Sequence, residues 1–98
     1  MTAAEVMKAW PYPVQHTARE EIQEAIADPY WQQVRLSMKG ISTSDKLIVC
    51  RNYMREQEAK AKTDHARRMI VVRIDNYINA LLRGGQLIEQ GGKIIVNR

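Results

Sequence analysis

The stretch from Thr63 to Arg98 constrains this chain more than any other. A long amphipathic segment, Ala66 to Arg83, runs into Gly84-Gly85, then Gln-Leu-Ile-Glu-Gln, Gly91-Gly92 and Lys-Ile-Ile-Val-Asn. Ile70, Ile74, Tyr77, Ile78 and Leu81 recur at three-and-four spacing, the signature of one buried helical face, and Arg68, Asp75, Asn76, Asn79 and Arg83 fall on the other. The first glycine pair supplies the left-handed conformation that ends a helix without a Cβ clash. The second sits between two β-rich runs and fits a two-residue hairpin turn that needs positive φ at both positions. With that turn, Leu87 opposes Val96 on one face and Ile88 opposes Ile95 on the other, so both faces of the hairpin carry apolar pairs. One face covers the helices; the other calls for a further strand, the N-terminal arm or a second copy of the chain.

Upstream, residues 1–16 read as an arm and residues 17–98 as a single helical domain ending in the hairpin 86–97. Within the arm, Thr2 to Glu5 has capping-box spacing, and Trp10-Pro11-Tyr12-Pro13 cannot continue a helix. Thr17-Ala-Arg-Glu20 opens a short helix through Ile22 and Ile26, ending near Ala27. Asp28-Pro29 caps the next, to about Lys39, with Tyr30, Trp31, Val34 and Met38 buried and Gly40 as the stop. Ser42 to Asp45 begins a third, striped with Leu47, Ile48, Cys50, Tyr53 and Met54. Its end is ambiguous, because Glu56 to Lys62 are helix formers. Large apolar residues vanish between Arg55 and Arg68 and Thr63-Asp64 offers a fresh cap, which favours a break near Lys60 to Asp64 over one continuous rod. The fold class is therefore mainly α: about four helices and a C-terminal β-hairpin.

At 98 residues the chain suffices for one domain. No apolar run approaches the roughly 20 residues that span a bilayer, no signal-peptide pattern opens the chain, and a single cysteine suits a reducing compartment. A cytoplasmic protein without a membrane partner is the expectation. Catalysis finds little support: His16 and His65 stand far apart outside any metal or triad spacing, and Cys50 lies among apolar positions. No enzyme activity, metal or cofactor is expected.

The charge points elsewhere. The net +4 splits into four Lys/Arg against six Asp/Glu up to Asp45, and eleven against five from Lys46 onward. The halves thus carry −2 and +6. Lys60, Lys62, Arg67 and Arg68 cluster at the start of the long helix, Arg73 and Arg83 follow, Asn76 and Asn79 share its outer face, and Lys93 and Arg98 decorate the hairpin. Many cations on one surface attract phosphates, and a helix with exposed donors can read base edges. Asp75 on that face counts against deep insertion along the whole helix. A solvated basic face is the alternative meaning of the same residues.

Residues 42–98 resemble a winged helix-turn-helix domain: a helix from Thr43 to about Ala59, a connection, a second helix ending Tyr77-Ile78-Asn79-Ala80-Leu81-Leu82-Arg83-Gly84-Gly85, and a wing from Gln86 to Val96. The resemblance implies a winged-helix-like fold. It also implies double-stranded DNA as partner, with Arg67, Arg68 and Arg73 toward the major groove and Lys93 on the flanking backbone. The second helix is long for that role, and the connection lacks the usual glycine. The words Asp28-Pro29-Tyr30-Trp31-Gln32-Gln33-Val34-Arg35-Leu36 and Asp75 to Gln86 are similar to short accessory proteins of tailed phages. That similarity implies a phage-encoded protein in the host cytoplasm that acts on DNA transactions or binds a host protein. A small non-catalytic DNA-binding regulator is the leading reading, and an adaptor or inhibitor of a host protein is the rival. A homodimer through the hairpin suits a palindromic site.

Overall fold

The computed structural model describes residues 18–91 and 93–97. It is mainly helical and closes with an antiparallel hairpin: α1 (Arg19–Ile26), α2 (Pro29–Ser37), α3 (Thr43–Lys60), α4 (Asp64–Arg83), β1 (Leu87–Gln90) and β2 (Lys93–Val96). The arm, both its motifs, Thr17, His16, Gly92 and Arg98 lie outside the described residues. No helix among the described residues is long and apolar enough to cross a membrane.

Side-chain caps set most of the boundaries. Asp28 Oδ2 accepts from the Trp31 amide at 2.9 Å, with Pro29 at the first helical position. Ser42 Oγ accepts from the Asp45 amide at 3.1 Å, and Thr63 Oγ1 from the Ala66 amide at 3.0 Å. The break between α3 and α4 occupies residues 61–63, with Ala61 extended at φ −70°, ψ 125°. The fresh cap wins over helix propensity here, and α4 starts at Asp64, two residues before the expected Ala66. Helix α1 is capped by Ala18, without a side-chain bond. Helix α2 stops at Ser37 and Gly40 turns the chain at φ +81°. Tyr30 is 43% exposed rather than buried. Trp31, Val34 and Met38 follow three-and-four spacing, and Tyr30 sits roughly 100° off their stripe. Its hydroxyl instead donates to Glu56 Oε1 at 3.0 Å.

The main core joins Trp31 and Met38 of the α2 region, Leu47, Cys50, Tyr53 and Met54 of α3, Ile70, Ile74, Ile78 and Leu81 of α4, and Leu87 of β1. Trp31 is fully buried, tilted on Tyr53 at 4.7 Å between ring centroids and edge-on to Tyr77 at 6.0 Å. A second, smaller cluster holds Ala25, Met69 and Val72, with Ile22 against it. Helix α4 is thus buried on two sides, by α2 and α3 on one and by α1 on the other.

At the end of α4 only Gly85 is left-handed, at φ +77°; Gly84 remains in the helical region at φ −80°. The Gln86 amide donates to the Leu81 carbonyl at 3.0 Å and the Gly85 amide to the Leu82 carbonyl at 3.2 Å, a Schellman closure. The hairpin pairs Leu87 with Val96 and Ile88 with Ile95, the register read from the sequence. Leu87, Ile94 and Val96 turn toward the core, and Ile88 and Ile95 share the other face.

Candidate nucleic-acid interface

The face of α4 expected to be its outer one carries α1. Helical geometry puts His65, Arg68, Met69, Val72 and Asp75 on the side opposite Ile70, Ile74 and Ile78. Of these, Met69 and Val72 bury against Ala25, and Asp75 is 1% exposed. The placement of Asp75 on a solvated face is therefore corrected. Two apolar residues on that side were enough to draw a second helix over it.

Arg68 meets Glu21 through both arms of its guanidinium: Nε to Oε1 at 3.0 Å and an Nη to Oε2 at 3.1 Å. Hydrogen bonding from Arg68 holds the Glu21 carboxyl below its ordinary range, and the same bond, with the charge of Asp75 adding to it, holds the Arg68 guanidinium above its own. Glu24 Oε1 lies 2.7 Å from His65 Nε2. Arg73 reaches between elements, its Nε donating to the Ala25 carbonyl at 2.7 Å and an Nη to the Tyr53 hydroxyl at 3.3 Å. Arg68 and Arg73 thus fasten α1 to α4, and Asn76 and Asn79 are half-buried.

The remaining expected cations gather at two places. At the elbow between α3 and α4, Lys60 pairs with Glu56 at 3.6 Å and Arg67 with Asp64 at 2.8 Å, all four well exposed, and Lys62 is exposed with no ion pair among the described residues. Exposed pairs of this kind contribute little and exchange readily for another anion. Arg83 and Lys93 are exposed at the opposite end of α4, whose 20 residues span about 30 Å.

A further cationic feature escaped the sequence reading. Arg35, Lys39 and Lys46 line a groove of about 480 Å³ together with Leu36, Met38 and Tyr77. The four-residue spacing of Arg35 and Lys39 was visible, but Lys46 joins them only because the turn at Gly40 folds α3 back beside α2. Cys50 is fully buried, and burial pushes its thiol up to about 12, far from a reactive thiolate at neutral pH. Comparison with protein-family models, curated proteins and solved structures finds no match.

Proposed function

We propose that the chain is a small non-catalytic DNA-binding protein that meets the duplex with the elbow between α3 and α4 rather than with the length of α4. The observation that carries this reading is the exposure of Lys60, Lys62 and Arg67 around residues 61–63, beside the first turn of a 20-residue helix. Helix N-termini present amide donors and a partial positive charge to phosphates, and the three cations add to that field. Arg68 and Arg73 leave the contact surface, since α1 covers their side of α4. Arg83 and Lys93 supply a second contact near the hairpin, about 30 Å along the helix, close to one turn of duplex.

Three neutralised phosphates at the elbow give a slope of log affinity against log salt near −2.7, about a 40-fold loss between 50 and 200 mM. Anisotropy with a labelled random duplex at the two salt concentrations measures this. Lys62→Ala with Arg67→Ala should flatten the slope by about 1.8. Absence of duplex affinity at 50 mM salt overturns the reading and leaves the adaptor in its place.

A further inference from the structure

The groove beside the α2–α3 turn lies away from the elbow. Lys46 and Lys60 stand 14 residues apart on α3, about 21 Å along its axis. Its walls carry Arg35, Lys39 and Lys46, and among the described residues no carboxylate lines it. Three like charges facing one concavity repel one another mildly, and none of the three makes an ion pair among the described residues. The floor is apolar. Met38 is 1% exposed, Tyr77 is half-buried, and Leu36 at the rim is 61% exposed, more than any other large apolar side chain among the described residues.

We propose that this groove docks an acidic peptide segment with one apolar anchor, its carboxylates on Arg35, Lys39 and Lys46 and its anchor against Leu36 and Tyr77. Charge complementarity selects the sign of the partner, and the exposed Leu36 at the rim selects a peptide over a nucleic acid, whose phosphates would leave that side chain without an apolar contact. At about 480 Å³ the groove takes a few side chains and is too small to seat a duplex. The chain's own acidic segment, Glu20 to Glu24, does not supply the occupant, because Glu21 and Glu24 are already engaged on α4. Occupation of the groove leaves Lys62 and Arg67 open, so the protein can hold duplex and acidic partner together.

The test uses the full chain and a labelled twelve-residue peptide of glutamates and glycines with one central leucine. Controls are the same peptide with serine for leucine, a lysine-for-glutamate version and a labelled thymidine dodecamer. The leucine peptide is expected to bind in the micromolar range. Its affinity should fall at least tenfold with Arg35→Ala plus Lys39→Ala and stay unchanged with Lys62→Ala plus Arg67→Ala. Leu36→Ser should weaken the leucine peptide toward the serine one and leave the serine peptide as it was. Arg35, Leu36 and Lys39 are exposed, and retention of the wild-type melting temperature verifies that the variants fold. No binding of the leucine peptide at 1 mM, equal binding of the serine version, or loss through Lys62 and Arg67 instead overturns the proposal. So does tighter binding of the thymidine strand at Arg35 and Lys39, which would make the groove a nucleic-acid site. Duplex affinity measured on the same variants separates this result from the fate of the elbow reading.

Discussion

Arg73 separates a structural role from a binding one. Its Nε is 2.7 Å from the carbonyl of Ala25, in the last turn of α1, where carbonyls lack intrahelical donors. The same carbonyl also accepts a longer bond from the Asp28 amide, at 3.4 Å. Removing the guanidinium with Arg73→Ala takes away a charge-assisted hydrogen bond of about 1.5–3 kcal/mol and leaves the longer Tyr53 contact unmade. Partial exposure lets water replace some of this, so about 2 kcal/mol is the expected loss. For a domain of this size each kcal/mol moves the midpoint by roughly 4–8 °C, which gives a drop of about 8–16 °C. Arg73→Lys keeps the charge but cannot span both acceptors, and should fall between. Thermal unfolding followed by far-UV circular dichroism measures the midpoint, and duplex anisotropy on Arg73→Ala, at a temperature where it is folded, measures binding. A drop below about 3 °C for Arg73→Ala, or a salt slope flattened by about 0.9 in that variant, would refute the assignment of this residue to packing.

Gly85→Ala forces a Cβ onto a residue at φ +77° and should cost about 1–2 kcal/mol. By contrast, Gly84→Ala sits in the helical region and meets chiefly the flexible Gln86 side chain, so its midpoint should stay within a few degrees of wild-type; the reverse order in thermal melts would contradict the Schellman assignment. Cys50 should resist a thiol reagent at pH 8 in the native protein and react fully in denaturant, because burial raises its pKa to about 12. The depressed Glu21 carboxyl stabilises the fold above its unfolded pKa, and that contribution is lost as pH falls through its folded value. Urea titrations should therefore show wild-type and Arg68→Met converging below about pH 4 and holding a constant gap near neutrality.

Local signals were legible because local physics decides them. Asp28, Ser42 and Thr63 each bond the amide three residues on, and the apolar gap after Arg55 marks a true interruption at residues 61–63. The hairpin register follows from alternation and turn length alone. The surroundings of α4 were less legible, since one dominant stripe hides a weaker one. Met69 and Val72 lie opposite Ile70 and Ile74, and they were the trace of α1. Nothing in local spacing places Glu21 against Arg68 or Ala25 against Arg73, partners 47 and 48 residues apart. The same holds for Lys46, which joins Arg35 and Lys39 through a chain reversal.

Division of the interior into two clusters has a kinetic meaning. Helix α1 is eight residues long, too short to persist alone in water, and its apolar anchorage is chiefly Ala25 and Ile22 against two side chains of α4. The larger cluster does not include it, apart from Ile26 at its edge. Opening of α1 can proceed by breaking the small cluster and its polar fasteners while Trp31, Ile74 and Ile78 stay packed. The amides of Ile22 to Ile26 are expected to exchange with deuterium through this sub-global opening, well ahead of those in the middle of α4, which require unfolding of the whole chain. Released in this way, α1 is expected to part Arg68 from Glu21 and His65 from Glu24 for the lifetime of the opening, so these cross-helix contacts are made and broken without loss of the main core.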